Sequence, residues 1–282
     1  MQYNKIISYA KINISLGVIK KLKSKLHQIE SLISFIDLYD EILIKKISKK
    51  KHSIIFYGKF SKNIPKNNTI SKLLSILDNK NLLEDKKYQI FIKKNIPIKS
   101  GLGGGSMNAS SVLKYFLKKK IIKLNKKTVY KIANQVGADV AIGLANKNSF
   151  LYTKGKIFKS IKKIRFYIVL VKPNFGCSTK VIYKNVKSFS KSKFNNKIKE
   201  IYNFSFIKKL SNDLEMPAFK KYPRLLTLKN SMLKLSNISM VRMTGSGSTM
   251  IAYFKSKKTS LNAAKILSRK YKNYWCILSK TI

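Results

Sequence analysis

Residues 97–106 read PIKSGLGGGS, and this one segment holds four of the 12 glycines in the chain. It leads directly into residues 106–118, where apolar side chains recur at helical spacing. Backbone N–H groups and the positive end of a helix dipole can surround a phosphate at such a helix start, and glycine lets the anion approach closely. The segment is neither a Walker A motif, which ends in Gly-Lys-Ser/Thr, nor a Rossmann fingerprint. A flexible turn is the alternative, but the adjoining helix start favours a phosphate-binding loop.

A second glycine cluster, TGSGS at residues 244–248, joins the strand patterns at residues 240–243 and 249–254. Gly-Ser connections are common in hairpins and need no ligand. The first glycine loop elsewhere in the chain favours a functional interpretation of this second one as well.

Acidic side chains are informative because the chain has only 11 of them. Asp139 lies among small and apolar residues, just after a helical pattern at residues 125–136, where a solvated charge is not expected. A carboxylate in that setting needs a partner, although capping of a helix end is the structural alternative. Lys11, inside a strand pattern at residues 5–15, is the natural cationic partner, even though most strand lysines simply face solvent.

The formal net charge of +49 suggests a nucleic-acid or anionic-membrane binder. The basic residues, however, are spread over nearly every segment, and no RNP, zinc-finger or helix-turn-helix signature is present. We therefore expect no specific nucleic-acid partner, only incidental binding at low salt. No apolar run reaches the roughly 18 residues of a membrane span, and the first residues lack the apolar core of a signal peptide. These features predict no membrane partner and a cytoplasmic location.

Cysteine and histidine usage narrows the chemistry further. Cys177 and Cys276 are the only cysteines and are expected to be reduced, with neither a disulfide nor a metal. His27 and His52 are the only histidines, so a His-rich metal site is nearly excluded. Catalytic proton transfer is therefore expected from another residue type.

The remaining patterns predict an α+β fold. Strand patterns occupy residues 5–15, 29–36, 41–47, 53–57, 88–92, 165–171, 240–243, 249–254 and 274–279, with a candidate hairpin at 149–158. Helical patterns occupy residues 69–77, 106–118, 125–136, 214–222, 225–235 and 260–271. We expect two domains, residues 1–160 with the phosphate loop and residues 161–282, divided near residue 161.

Four segments in this order resemble the motifs of the GHMP kinases: residues 10–13, 101–106, 137–140 and 244–247. Residues 27–28, 31–32, 37–41 and 211–215 are more narrowly similar to the diphosphocytidyl-methylerythritol kinases of that superfamily. The resemblance spans essentially the whole chain. It implies a ribosomal-S5-like N-terminal domain, a ferredoxin-like C-terminal domain and an active site between them.

The resemblance also implies an activity, the ATP-dependent phosphorylation of the C2 hydroxyl of 4-diphosphocytidyl-2-C-methyl-D-erythritol in the non-mevalonate route to isoprenoid precursors. Mg²⁺ would accompany ATP, with unassigned ligands, and the protein would be a monomer or homodimer. Asp139 would act as the base and Lys11 would steady the developing charge. The implied ATP-binding residues are Pro97, Lys99, Ser100, Gly101, Leu102, Gly103, Gly104, Gly105, Ser106, Met107, Gly245 and Ser246. The implied substrate-binding residues are Asn13, His27, Thr179 and Tyr183, the last stacking on the cytosine.

Two positions depart from the pattern of these kinases. Lys25 and Leu26 stand where the family has Gly-Tyr. The cytosine ring of the substrate would therefore stack against an aromatic side chain on one side only. Ala141 replaces the usual proline after Gly-Ala-Asp-Val. The alternatives left open are a GHMP kinase for another small alcohol, of the homoserine or mevalonate type, and a basic nucleic-acid-binding protein without kinase activity.

Overall fold

The computed structural model describes residues 2–22, 26–145, 149–152, 156–159, 165–194 and 203–282, with the backbone alone at 156–159. The chain divides into two compact units whose segments alternate along the sequence. The first unit contains Met1–Ala10, Leu38–Ile98 and Gly103–Asn146, and the second contains Lys11–Asp37, Lys99–Leu102 and Lys147–Ile282. The predicted boundary near residue 161 lies outside the described residues, and the division into 1–160 and 161–282 stays a prediction.

Two long strands contribute to both units. They are β1 (Asn4–Lys21) and β2 (His27–Ile47), which pair with each other. The other elements of the first unit are β3 (Ser53–Tyr57), α1 (Thr69–Asn79), β4 (Lys87–Lys93), α2 (Gly104–Lys118), α3 (Lys126–Val136) and α4 (Ala138–Ala145). β4 pairs antiparallel with the end of β2 and parallel with β3. The four helices pack on one another and bury an apolar stripe each.

The second unit begins with β5 (Ser149–Tyr152) and β6 (Lys156–Lys159), an antiparallel hairpin whose first strand pairs with β2. Its remaining elements are β7 (Tyr167–Lys172), α5 (Thr179–Lys184), α6 (Phe204–Lys209), α7 (Glu215–Lys221), α8 (Pro223–Leu233), β8 (Met240–Met243), β9 (Met250–Phe254), α9 (Lys257–Lys270) and β10 (Trp275–Lys280). The antiparallel sheet has the order β10-β7-β9-β8. This is the strand order of a ferredoxin-like domain, so the expected α+β fold is confirmed.

Most predicted elements occur within a few residues of their expected bounds. The strand patterns at residues 29–36 and 41–47 belong to one long strand, β2, because no turn residue interrupts the pairing. Three helices were not predicted, namely α4, α5 and α6, which have only eight, six and six residues. Helices this short do not display a full amphipathic repeat. In the part of the chain that the structure describes, no helix is both long and apolar enough to span a membrane.

His52, which lies just before β3, connects β4 to α1. The backbone N–H of Tyr88 donates to His52 Nδ1 at 3.0 Å, so Nδ1 carries no proton. His52 Nε2 then donates to Asp78 Oδ2, also at 3.0 Å. Burial lowers the pKa of His52 below its ordinary value of 6.5, although the Asp78 carboxylate opposes that change. The geometry therefore selects a neutral imidazole.

This lowered pKa predicts a pH-dependent stability. The unfolded chain protonates His52 at a higher pH than the folded chain does, so the contribution of neutral His52 is complete above about pH 6.5 and is lost as the pH falls through the folded-state pKa. We expect the free energy of unfolding, from urea titrations, to fall more steeply on acidification in the wild type than in His52→Asn. Equal slopes in the two proteins would contradict this explanation.

Candidate functional site

The first unit contains the part of the glycine loop that starts a helix. Gly103 caps α2 with a φ of 69°, and the N–H of Met107 donates to its carbonyl at 2.9 Å. A Cβ at Gly104 would lie 2.9 Å from Ile96 Cγ2, so only glycine fits there without a shift. The first N–H groups of a helix have no acceptor within it and carry its positive dipole end. The start of α2 therefore offers donors suited to a phosphate.

A buried carboxylate supports this helix start. Asp40, in the second half of β2, is fully buried, and its Oδ1 accepts the N–H groups of Asn95 and Ile96 at 2.8 and 2.9 Å. Its Oδ2 accepts from Asn108 of α2 at 2.9 Å and from the Lys94 ammonium. Burial lowers the pKa of Lys94, and the Asp40 carboxylate opposes that change. Asp40 thus ties α2 to the segment against which Gly104 packs.

Asp139 lies in the first turn of α4, immediately after the Gly137 that ends α3. The sequence pattern placed Asp139 just past the end of a helix. In the structure it lies at the start of the next helix, α4, where its carboxylate is half-buried at the positive end, a favourable place for an anion. α4 lies very close to α2, since a Cβ at Gly143 would be 2.7 Å from the Ser110 side chain. Ala141, at the family's proline position, is buried inside this helix.

The second unit holds the other half of the glycine loop against the second glycine cluster. Gly101 has a φ of 77°, and a Cβ there would lie 2.1 Å from the Thr244 carbonyl oxygen. A Cβ at Gly245, whose φ is 54°, would lie 3.2 Å from the Gly101 carbonyl oxygen. The Thr244 hydroxyl donates to Gly101 O at 3.3 Å. The two clusters, far apart in sequence, are therefore packed backbone to backbone.

Buried side chains fix the second cluster from behind. Asn212 donates through Nδ2 to the carbonyls of Met243 and Gly245 at 2.7 and 2.8 Å. Glu215, in α7, accepts the N–H of Met243 at 2.8 Å. Buried polar groups satisfied in this way hold one backbone conformation.

β1 brings the predicted lysine and asparagine to the same place within this unit. The N–H of Lys11 donates to Leu102 O at 3.1 Å, and the N–H of Asn13 donates to Thr244 Oγ1 at 2.9 Å. Two residues apart on a strand, the two side chains share a face, and Lys11 Nζ donates to Asn13 Oδ1 at 2.7 Å. Both are nearly buried, so a charged amine is held at a defined position beside the glycine clusters.

Among the other predicted substrate residues, Thr179 contacts the second glycine cluster, and His27 and Tyr183 contact each other. The hydroxyls of Thr179 and Ser246 lie 2.8 Å apart. Thr179 begins α5, which also carries Tyr183, and the Tyr183 ring centroid is 5.1 Å from that of His27. Burial, followed by the charge of Lys21, lowers the pKa of His27 below 6.5.

Sequence reasoning missed an aromatic residue beside this pair. Phe189 has its ring centroid 6.4 Å from that of His27 and is 46% exposed. Leu26, at the family's tyrosine position, is 67% exposed. No periodic pattern surrounds Phe189, so only its contact with His27 singles it out. The role of Asp40 was missed too, although acidic residues at 37, 40 and 41, where two strand patterns meet, were an available signal.

The predicted site residues divide between the two units. The part in the first unit contains Pro97, Gly103, Gly104, Gly105, Ser106, Met107 and Asp139. The part in the second unit contains Lys11, Asn13, His27, Lys99, Ser100, Gly101, Leu102, Thr179, Tyr183, Gly245 and Ser246. The expected partnership of Asp139 with Lys11 joins residues of different units and stays a prediction.

Comparison with known proteins gives a consistent result over the whole length. Residues 68–153 match the profile described as GHMP kinases N terminal domain, and residues 191–273 match GHMP kinases C terminal. A 4-diphosphocytidyl-2-C-methyl-D-erythritol kinase from Pelagibacter ubique (strain HTCC1062) is 53% identical over 278 residues, covering 99% of both chains.

Solved structures share the fold. A crystal structure of 4-(cytidine 5'-diphospho)-2C-methyl-D-erythritol kinase superimposes with a TM-score of 0.78 at 22% identity, over 99% of this chain and 100% of that one. Homoserine kinase from Cytophaga hutchinsonii gives 0.75 at 16% identity, over 100% and 95%.

The contact between the glycine clusters predicts the effect of a methyl group. Gly101→Ala combines a positive φ with a clash against backbone, so we expect it to lower the free energy of unfolding by roughly 2 kcal/mol or more. Gly105→Ala, in α2, is the matched control: its Cβ would meet only Thr69 Oγ1 at 3.3 Å and alanine has the higher helix propensity, so we expect no loss of stability. Urea titrations give both values, and equal effects would contradict the packing argument.

The buried contacts of Asp40 predict a larger loss of stability when this carboxylate is removed. Asp40→Asn leaves the Lys94 ammonium buried without a counter-charge, which typically costs about 3–5 kcal/mol. Glu84→Gln removes the carboxylate of an exposed pair with Lys86 and is expected to change little. Thermal and urea unfolding of the two variants measure the difference. Wild-type stability in Asp40→Asn would show that the buried pair does not support the helix start.

Proposed function

Because the chain belongs to the GHMP kinase family, we propose that it transfers the γ-phosphoryl group of ATP to the C2 hydroxyl of 4-diphosphocytidyl-2-C-methyl-D-erythritol. The full-length likeness to a kinase of that name carries the proposal. The reaction belongs to the non-mevalonate route to isoprenoid precursors. The ligands are ATP and this small molecule, with no specific nucleic acid or membrane, in a cytoplasmic monomer or homodimer.

ATP binds through the glycine clusters in this proposal. The N–H groups at the start of α2, from Gly104 to Ser106, surround the phosphates, and Gly103 supplies the left-handed turn before them. Lys99, which is exposed, adds a positive charge near the same loop. Gly245 and Ser246 contribute from the second cluster. Glycine at position 101 permits the loop conformation that presents these donors.

Mg²⁺ fits this site as a complex with ATP. Within the described part of the chain, no group of three or more His, Cys, Asp or Glu side chains could hold a metal ion. Mg²⁺ in phosphoryl-transfer sites commonly uses one or two carboxylates together with substrate phosphates and waters, so it needs no cage made by the protein. When bound, it would neutralise phosphate charge.

Asp139 and Lys11 act on the reacting groups: Asp139 accepts the hydroxyl proton, and Lys11 stabilises the negative charge. The Asp139 carboxylate takes the proton of the C2 hydroxyl as the hydroxyl oxygen forms its bond to the γ-phosphorus. The bond from that phosphorus to the bridging oxygen breaks at the same stage, and ADP leaves with the electron pair. The Lys11 ammonium, held by Asn13, steadies the negative charge on the reacting oxygens.

The cytidine group is recognised by the aromatic residues of the second unit. Tyr183 stacks on the base, and the His27 imidazole, neutral because its pKa is lowered, can donate one hydrogen bond and accept another. Asn13 and Thr179 contact the rest of the substrate. Because Leu26 offers no aromatic wall and is largely exposed, a kinase for another small alcohol is the second candidate.

A panel of alcohols with ATP separates these candidates. We expect ADP release with the cytidyl substrate to exceed that with homoserine or mevalonate by at least about a hundredfold in kcat/KM, because only the first fills the aromatic pocket. Faster turnover of an alcohol without cytidine would select the second candidate instead.

Asp139→Asn tests the assigned base in the same assay. Removing a general base typically lowers kcat by about 10²–10⁴-fold, with the KM for ATP little changed. Asp37→Asn is the matched control, since Asp37 is 46% exposed and lies 3.9 Å from Lys280. Intact turnover in Asp139→Asn would remove the catalytic assignment.

A further inference from the structure

A chain of buried hydrogen bonds leads away from Lys11 into the second unit. Lys11 Nζ donates to Asn13 Oδ1 at 2.7 Å, and Asn13 Nδ2 lies 2.7 Å from Ser31 Oγ. Ser31 Oγ lies 2.6 Å from the carbonyl oxygen of Ser15. Ser31, in β2, is fully buried, and Asn13 and Ser15 are nearly so. Water therefore does not compete for these bonds.

The direction of every bond in the chain follows from its last member. The Ser15 carbonyl can only accept, so the single hydroxyl proton of Ser31 points to it. The Ser31 oxygen must then accept from Asn13, which places the amide nitrogen of Asn13 on that side. The amide oxygen consequently faces Lys11, whose ammonium can only donate. A reversed amide would put two donors against each other at one end and leave the Ser31 oxygen facing another acceptor at the other.

We propose that Ser31 is a positioning residue for the reaction, because it fixes the Asn13 amide in the orientation that holds the Lys11 ammonium. The proposal deepens the kinase assignment and rests on it. Ser31 reaches the reaction only through Asn13 and Lys11. Its loss leaves the Asn13 nitrogen without its acceptor, so the amide can rotate and the ammonium loses its fixed place.

A double-mutant cycle tests this coupling. We expect Ser31→Ala to lower kcat for the cytidyl substrate about tenfold, with the KM for ATP within about twofold, because small displacements of a catalytic group are costly. In the Asn13→Ala background, the same change should alter kcat by less than about twofold, because the hydrogen bonds that link Ser31 to Lys11 are already lost. Equal losses in both backgrounds would mean that Ser31 acts only by packing, and the proposal would fail.

Ser34→Ala is the matched control. Ser34 is a fully buried serine on the same strand but on the opposite face, with its hydroxyl 3.1 Å from Phe35 O, and its variant should keep wild-type kcat. If Ser31→Ala does not fold, Ser31→Cys keeps the size and supplies a weak acceptor, and we expect an intermediate kcat in that variant. Wild-type kcat in the Cys variant, or an equal loss in Ser34→Ala, would overturn the proposal.

A second readout needs no turnover. The side-chain amide protons of Asn13, followed by ¹H–¹⁵N NMR, should exchange with solvent at least about tenfold faster in Ser31→Ala than in the wild type or Ser34→Ala. Unchanged exchange would refute the role of Ser31. If the wild-type protein did not phosphorylate the cytidyl substrate, the kinase assignment would be refuted instead. The exchange measurement would still decide the orientation of the Asn13 amide.

Discussion

The backbone of Gly101 lies against the carbonyl of Thr244 so closely that a Cβ would stand 2.1 Å from the oxygen. This contact joins two glycine clusters that are more than a hundred residues apart. The backbone N–H of Asn13 donates to the hydroxyl of Thr244, and the backbone N–H of Lys11 donates to the carbonyl of Leu102, the residue after Gly101. The position of the amine that would act in catalysis therefore depends on a backbone contact that only glycine allows.

Fixed polar contacts surround both parts of the site. Asp40 holds the segment before α2 in the first unit, and Asn212 with Glu215 holds the second glycine cluster in the other. These groups are buried and bonded, so they restrict the backbone without offering a reactive atom. A site of this kind has its donors oriented before any ligand arrives, which is the main requirement for stabilising charge in phosphoryl transfer.

Much of this site could be predicted from the sequence, for physical reasons. The glycine loops were recognisable because the chain is otherwise poor in glycine, and the long strands were recognisable from alternation at residues 5–15. The short helices α4 and α5 were not, because eight and six residues show no full repeat and packing stabilises them. The roles of Ser31 and Phe189 depend on partners far away in sequence, which a local pattern cannot reveal. The pairing of Asp139 with Lys11 stays a prediction.

The activity assigned to this chain is the phosphorylation of one hydroxyl of a cytidyl substrate. Its most direct test is the reaction product itself, formed with ATP and Mg²⁺ and examined by mass spectrometry and ³¹P NMR. We expect the addition of a single phosphoryl group as a monoester on the C2 oxygen, with the diphosphate link to cytidine intact. An unmodified substrate, or a phosphate on any other oxygen, would contradict it.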